Sequence, residues 1–190
     1  MRLIKSDDYQ SMPWKNGGGT TTQIASHPEN ATTENFAWRI SMATVNNDGP
    51  FSRFPETERT LIVLEGAGIE LTVAGGKEER LTRDTEPFTF AADTDAYAKL
   101  IDGSILDLNV MTRRNSFSHR VHKSSGPVER KIAIGTIVLF ACDVSLQVQD
   151  GENTTNVAFG DTVIFDDGSH GLKIAPEGPG NYYLVELIRS

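Results

Sequence analysis

Short β-branched runs separated by turn residues set the strongest limit on what this chain can fold into. Runs such as "FAWRISMATV", "RTLIVLEG" and "ILDLNVM" are bounded by clusters of Gly, Asn and Asp, among them "NNDGP" and "AGGK". Helical periodicity is scarce, and many short strands at regular spacing are typical of all-β sandwiches and barrels. We therefore predict an all-β fold with little helix.

A weak internal repeat indicates that this fold is built twice. The segment "TLIVLEGAGIELTV" from Thr60 matches "TIVLFACDVSLQV" from Thr136 with one gap, and three further matches follow in the same order. Small barrels with short hairpins in tandem are typical of the double-stranded β-helix, or jelly roll. We predict two tandem jelly-roll barrels, an N-terminal barrel over residues 1–120 and a C-terminal barrel over residues 121–190.

Composition and charge exclude several classes of protein. The 190 residues carry a formal net charge of -8 with a pI of about 5.0, which argues against a sequence-independent nucleic-acid partner. The N-terminus lacks the apolar stretch of a signal peptide, and no apolar run has the length of a membrane span. Cys142 is the single cysteine and lies in an apolar run, so we expect it in the core. We expect a cytoplasmic protein without a membrane partner.

The histidine pattern does not favour a metal site. A three-ligand site would need the histidines to converge with a carboxylate, and the four histidines are spread along the chain: His27, His119, His122 and His170. The close pair faces opposite sides at strand spacing, within the polar segment from His119 to Arg130 that we interpret as the linker between the barrels. We interpret all four as solvated loop residues and expect neither a metal nor a cofactor.

The stretch "PWKNGGGTTTQIA" contains three consecutive glycines. A phosphate-binding P-loop needs its lysine after the glycines and a helix behind it, whereas here Lys15 precedes them and β-branched threonines follow. The glycines therefore allow unusual backbone torsions or a close approach. We expect a tight strand-edge loop at the mouth of the first barrel that presents Lys15 and Asn16. Trp14 fits a pocket lip and a core edge equally well.

Alternation in two strands brings polar side chains onto one face. Arg39 and Ser41 share a face of "WRISMA", and Asp107 and Asn109 share a face of "ILDLNVM". These faces point either to water or into a lined cavity. A cavity would require the buried charges to pair, and Arg39 with Asp107 would be such a pair. Two more arginines either guard the mouth of that cavity or are ordinary surface charges: Arg59 and Arg113.

The segments "PWKNGGGTTTQIA", "WRISMATVNNDGPFSRFPETERTLIVLEGAGIEL" and "FTFAADTDAYAKLIDGSILDLNVMTRR" together resemble the HutD/Ves family of cupin-type proteins, over most of the first 114 residues. The family's proline-glycine after "FSRFP" reads Pro55–Glu56 here. The resemblance implies a bicupin, often a homodimer, with a link to bacterial histidine utilisation for HutD or to stress response for Ves. It implies a small carboxylate such as urocanate or formylglutamate in the N-terminal barrel. Carried over by motif, the ligand-binding residues are Trp14, Lys15, Asn16, Arg39, Ser41, Arg59, Asp107, Asn109 and Arg113.

The sequence is compatible with three functions. The first is a non-catalytic sensor in which Lys15, Arg39 and Arg59 hold a carboxylate. The second is a metal-free cupin enzyme, an isomerase or lyase, with Asp107 or Glu65 as general base. The third is a structural or protein-interaction module. The few histidines and the absence of an obvious acid–base pair weigh against the enzyme.

Overall fold

The computed structural model of the chain describes residues 1–14, 17–132, 134–166, 168 and 170–190. Within these residues the chain forms nineteen strands, one short 3-10 turn at Ser6–Asp8 and no α-helix, which confirms the all-β prediction. The described part of the chain holds no helix with the length and apolar character needed to cross a membrane. The strands are β1 (Arg2–Ile4), β2 (Gln10–Pro13), β3 (Gly19–His27), β4 (Trp38–Val45), β5 (Gly49–Pro50), β6 (Thr57–Glu65), β7 (Ile69–Val73), β8 (Glu78–Leu81), β9 (Phe88–Ala91), β10 (Ala96–Leu100), β11 (Ile105–Arg113), β12 (Phe117–Ser124), β13 (Val128–Ile132), β14 (Thr136–Phe140), β15 (Leu146–Asp150), β16 (Asn153–Val157), β17 (Thr162–Phe165), β18 (His170–Pro176) and β19 (Tyr182–Arg189).

These strands form two compact units, each with two sheets. The N-terminal unit comprises Gln10–Ser118 and Ser190, with a six-stranded sheet in the order β2-β3-β4-β11-β6-β9 and a four-stranded sheet in the order β5-β10-β7-β8. The C-terminal unit comprises Met1–Tyr9 and His119–Arg189, with a five-stranded sheet in the order β1-β17-β14-β19-β12 and a four-stranded sheet in the order β13-β18-β15-β16. Neighbouring strands pair antiparallel in both units, for example β4 with β11, β6 with β11 and β14 with β19.

The two units repeat one strand order. The run β9-β6-β11-β4 of the N-terminal unit corresponds to β17-β14-β19-β12 of the C-terminal unit, and β5-β10-β7-β8 corresponds to β13-β18-β15-β16. The matched segments at Thr60 and Thr136 lie on the corresponding strands β6 and β14. The internal repeat found in the sequence is therefore also present in the topology.

The first nine residues belong to the C-terminal unit rather than to the N-terminal barrel in which we placed them. Strand β1 pairs with β17, so that Leu3 lies opposite Val163. The Tyr9 hydroxyl donates to the Gly160 carbonyl at 2.8 Å, and the Lys5 ammonium donates to the Asp161 carboxylate at 2.9 Å. This segment therefore completes the edge of a sheet whose other strands come after residue 116.

The predicted linker from His119 to Arg130 is wrong, because it consists largely of strands β12 and β13. Each lies at the edge of its sheet. Edge strands carry charged and polar side chains that discourage pairing with other chains, and this polarity gave the segment the composition of a linker.

Each unit has an apolar core. In the N-terminal unit the core includes Leu61, Ile69, Leu71, Phe90 and Ile105, and in the C-terminal unit it includes Ile137, Leu139, Leu146, Tyr182 and Leu184. The prediction that Cys142 lies in the core is wrong, since this residue is only half-buried. It lies two residues beyond the end of β14, after the fully buried Ala141.

Two of the three glycines in the opening motif have specific backbone roles. Gly17 has a φ of 71°, a left-handed conformation that glycine adopts without steric cost. A Cβ on Gly19 would lie 2.2 Å from the backbone oxygen of Thr44 on the neighbouring strand and 3.1 Å from the indole ring of Trp14. Backbone hydrogen bonds close the turn, from Trp14 to the Gly19 carbonyl and from Gly17 to the Trp14 carbonyl.

We expect Gly19→Ala to destabilise the protein, because its Cβ would displace the β3–β4 backbone pairing and the Trp14 ring. An extra methyl group in a closely packed site typically lowers the free energy of unfolding by about 1–3 kcal/mol. Gly178→Ala is the matched control, since a Cβ there meets no atom within 4 Å. Urea unfolding of the three proteins measures the difference, and an unfolding free energy for Gly19→Ala equal to that of the control would contradict the close-approach role.

Candidate functional site

A cavity of about 580 Å³ lies within the N-terminal unit. Its floor comes from β4, β6 and β11, and the chain between β4 and β6 covers one side. Its lining comprises Trp14, Gly18, Thr21, Arg39, Ser41, Ala43, Val45, Asn47, Asp48, Gly49, Pro50, Phe51, Ser52, Phe54, Arg59, Ala98, Asp107, Asn109 and Met111. A cavity of this size accommodates a small metabolite.

The register of β11 with its two neighbours arranges the floor in levels. Met111 lies opposite Arg39 on β4 and Arg59 on β6, so that two arginines flank one methionine. Two residues before Met111, on the same face of β11, Asn109 lies opposite Ser41. Two residues before Asn109, Asp107 lies opposite Ala43. Successive residues on one face of a strand are about 7 Å apart, so the arginine level and the Asn109 level can contact opposite ends of one small molecule.

Arg59 is a buried cation with few hydrogen bonds. Its side chain is 4% exposed, and its guanidinium lies 5.2 Å from the ring centres of Phe51 and Phe54 and 5.8 Å from that of Phe90. Nη2 has only long contacts, 3.5 Å to the Ser52 carbonyl oxygen and 3.8 Å to the Met111 sulfur, and Nε has no hydrogen-bond partner among the described residues. Burial lowers the pKa of Arg59 to about 10, the nearby carboxylate of Asp107 acts in the opposite direction, and the positive charge of Arg39 lowers it further.

Arg39 is held at the same level by polar neighbours. Its Nε donates to the side-chain oxygen of Gln23 at 2.9 Å, and its Nη1 donates to the Ser41 hydroxyl at 3.2 Å. Burial lowers its pKa. Two guanidiniums in one apolar enclosure repel each other, and an anion between them would relieve that repulsion.

Asp107 is fully buried beside this pair. One carboxylate oxygen accepts from the side-chain amide of Asn109 at 2.6 Å, and the other has no hydrogen-bond partner among the described residues. Burial raises the pKa of Asp107 to about 7, although the charge of Arg59 and the bonds from Asn109 and the Ala43 backbone favour the ionised form. The electrostatic partner of Asp107 is therefore Arg59, and no ion pair with Arg39 is found among the described residues, so the predicted Arg39–Asp107 pair is wrong.

The structure brings together six of the nine predicted site residues in this cavity: Trp14, Arg39, Ser41, Arg59, Asp107 and Asn109. The indole nitrogen of Trp14 donates to the Thr21 hydroxyl at 2.7 Å, which fixes the ring at the cavity edge. Lys15 and Asn16 lie outside the described residues.

Arg113 lies outside the cavity lining. Its guanidinium donates to three backbone carbonyls, those of Glu34 and Pro55 at 2.8 Å each and that of Phe36 at 3.4 Å, and it stacks on the Phe36 ring at 5.2 Å. From the sequence, Arg113 either guards the cavity mouth or is an ordinary surface charge, and the family resemblance implies a ligand-binding role. The donors of Arg113 instead tie two loops to the end of β11, which gives this residue a structural role.

Sequence reasoning missed the aromatic enclosure of Arg59. Phe51 and Phe54 flank "SR" in the short stretch "PFSRFPETERT", only a few residues before Arg59. Cations are attracted to aromatic faces, so this clustering was an available signal. Phe90 reaches Arg59 from β9, and only the strand pairing of Arg59 with Phe90 reveals that contact.

The histidines are not loop residues, so that interpretation is wrong. His27 ends β3 and stacks on Trp38, and both His119 and His122 belong to β12. Burial lowers the pKa of His119 to about 4, and His122 lies 3.3 Å from the buried carboxylate of Glu186. Among the described residues, no group of three or more His, Cys, Asp or Glu side chains could hold a metal ion.

The buried carboxyl of Asp107 predicts a pH-dependent effect of Asp107→Asn on stability. The pKa of Asp107 is higher in the folded state than in the unfolded state, so its contribution to the free energy of unfolding falls as pH rises from about 4 to about 7. Asn cannot ionise, so the variant should gain stability relative to wild type between pH 4.5 and pH 8, by on the order of 2 kcal/mol. Urea unfolding at the two pH values measures this gain, and a pH-independent difference would contradict the raised pKa.

For Arg113→Met we expect lower stability with unchanged ligand affinity. The substitution removes three hydrogen bonds from a charged donor to backbone carbonyls, and we expect a loss of about 1–3 kcal/mol in the free energy of unfolding. Urea unfolding and calorimetric titration with small carboxylates test the two parts. A loss of affinity at unchanged stability would place Arg113 in the ligand site instead.

Comparison with known proteins places the chain among bacterial relatives. The family model described as HutD matches residues 6–183. Protein Ves from Citrobacter koseri is 34% identical over 176 residues, which cover 90% of this chain and 88% of that protein. An uncharacterized 21.2 kDa protein encoded in the hutC 3′ region of Pseudomonas putida is 29% identical over 189 residues, which cover 99% of this chain and 97% of that protein.

Solved structures agree with the sequence comparison. HutD from Pseudomonas fluorescens, solved in a formate condition, has a TM-score of 0.81 at 31% identity and covers 100% of this chain and 98% of its own. At 8% identity, oxalate decarboxylase from Lactobacillus farciminis covers 99% of this chain and 86% of its own with a TM-score of 0.69, and this likeness to a cupin-fold protein concerns the fold alone. The family match, the curated relatives and the structural neighbour agree, and the chain belongs to the HutD family.

Proposed function

We propose that the protein binds a small carboxylate in the cavity of its N-terminal unit, without catalysing a reaction, and that it acts as a HutD-like regulator linked to histidine utilisation or stress response. The observation that carries the proposal is the buried guanidinium of Arg59. A guanidinium offers five N–H donors, and among the described residues Arg59 has only two long contacts for them. A carboxylate would supply the missing acceptors.

The surroundings of Arg59 favour an anion with a small apolar body. Phe51, Phe54 and Met111 form apolar walls next to the guanidinium, and Arg39 provides a second cation at the same level of the floor. Hydrogen bonds to charged groups are shorter and stronger than neutral ones, and arginine binds a carboxylate with two parallel bonds. Ligand pockets of this kind combine apolar walls with a few well-placed polar groups.

The competing proposal, a metal-free isomerase or lyase, requires a general base that reaches the substrate. Asp107 lines the cavity and has a pKa near 7, but its side chain has no solvent-exposed surface. Glu65 is exposed and is not part of the cavity lining. Neither of these two carboxyl groups therefore combines a place in the lining with an exposed oxygen, and this supports the non-catalytic proposal.

Family membership extends the proposal to the assembly. We propose that each unit is a cupin barrel, so that the chain is a bicupin, and that it works as a homodimer. The equal strand order of the two units and the cupin-fold neighbours support the first statement. The candidate ligands are urocanate and formylglutamate, and formate is a minimal probe because it consists of the carboxylate alone.

We expect Arg59→Met to weaken carboxylate binding at least about tenfold, because the substitution removes charged hydrogen bonds to the ligand. The variant should also lose stability, because Asp107 stays buried without its electrostatic partner. Calorimetric titration with formate, urocanate and formylglutamate measures affinity, and thermal unfolding measures stability.

Arg53→Met is the matched control for this experiment. Arg53 is the same residue type in the loop just before β6, but its guanidinium is exposed and donates to the Asp93 carbonyl. The control should bind as tightly as wild type. Saturable binding of a carboxylate by Arg59→Met at wild-type affinity would overturn the proposal, and so would a wild-type protein that binds none of the three probes.

A further inference from the structure

We propose that binding of an anion in the cavity is coupled to uptake of a proton by the Asp107 carboxylate, so that ligand and acid reinforce each other at this site. The inference rests on the proposed carboxylate site and adds its regulation by pH. It concerns the protonation state of the protein, and it does not depend on which carboxylate binds.

The position of Asp107 supports this coupling. Its side chain lines the cavity, yet none of its surface is exposed to solvent, so water solvates its charge poorly. Its Oδ1 accepts from the side-chain amide of Asn109 at 2.6 Å, whereas Oδ2 has no hydrogen-bond partner among the described residues. Hydrogen bonds to a carboxylate favour its ionised form, and one oxygen of Asp107 lacks that support.

The charged side chains of the described cavity lining come from four places: Arg39 on β4, Asp48 between β4 and β5, Arg59 on β6 and Asp107 on β11. Burial raises the pKa of Asp107 to about 7, and the charge of Arg59 acts against this rise. Asp48 is solvent-exposed, and its carboxylate accepts from the Leu100 backbone at 2.7 Å. The ionised form of Asp107 therefore depends on Arg59.

A ligand carboxylate at the arginine level changes this balance. It adds a second negative charge to the enclosure and occupies the donors of Arg59, and like charges in one site disfavour ionisation. The net charge of the site does not remove this repulsion, because both carboxylates depend on the same guanidinium. A proton on Asp107 relieves it and turns the unbonded oxygen into an O–H donor. Ligand and proton then raise each other's affinity by the same factor.

Calorimetric titration in buffers that differ in their enthalpy of ionisation counts the protons taken up, because the observed binding enthalpy then varies with the buffer. The probes are formate and formylglutamate, whose carboxylates stay ionised near pH 7. If binding raises the pKa of Asp107 by about one pH unit, wild type should take up about half a proton per ligand at pH 7.5. Its affinity should then be about fivefold lower at pH 8 than at pH 6.

Asp107→Asn should remove the coupling, because an amide does not titrate in this range. Its binding enthalpy should be the same in every buffer, and its affinity should be the same at pH 6 and pH 8. The neutral amide resembles the protonated carboxyl, so at pH 8 the variant should bind formate about fivefold more tightly than wild type. A purely structural role of Asp107 does not predict this gain.

Asp48→Asn is the control variant, because it removes the other carboxyl group of the described lining. Whatever its affinity, it should keep the proton uptake of wild type. Loss of the uptake in this variant would assign the proton to Asp48 instead of Asp107.

The outcomes separate this inference from the proposed function. A wild type that binds a probe with the same enthalpy in every buffer overturns the coupling and leaves carboxylate binding intact, whereas a wild type that binds neither probe overturns the proposed function as well. Proton uptake that persists in Asp107→Asn overturns the role of Asp107. Should Asp107→Asn fail to fold, the titrations of wild type and Asp48→Asn still decide.

Discussion

The pairing of β11 with both β4 and β6 is the constraint on which the site depends. Each residue of β11 has a partner on either side, so the register places Arg39 and Arg59 on the two flanks of Met111. A shift of one residue would send this face to the other side of the sheet. The apolar residues toward the other end of the same strands fix that register, because Val63 and Ile105 belong to the core. The hydrophobic core and the polar cavity therefore lie toward opposite ends of the same strands, β4, β6 and β11.

The C-terminal unit has the corresponding strands but different residues at the corresponding positions. Thr60 pairs with Val110, and Thr136 pairs with Leu187, so the equivalents of Arg59 and Asp107 are Gly135 and Leu184. Leu184 belongs to the core of its unit. The exchange of a buried arginine for glycine and of a buried aspartate for leucine removes both charges, and only apolar packing remains at these positions.

Strand content, the repeat and the polar faces of β4 and β11 were predictable, because alternation at period two is encoded locally. The electrostatic partner of Asp107 was not predictable from the sequence, because the choice between Arg39 and Arg59 depends on how the strands pair. The edge strands β12 and β13 read as a linker because exposed edges are polar. Glu56 stands where the family has a glycine, and it adopts a φ of 53°, a left-handed conformation that usually favours glycine.

The charge balance of the cavity bears on the charge of the proposed ligand. The buried charged side chains of the described lining are Arg39, Arg59 and Asp107. With Asp107 ionised they sum to one positive charge, and a monocarboxylate would bring the enclosed site to neutrality. Uncompensated charge in an apolar enclosure is costly, so a second negative group on a ligand belongs at the open end of the cavity, where water can solvate it. In the proposed site the arginine level would therefore bind one carboxylate, and any further charged group of the ligand would lie toward water.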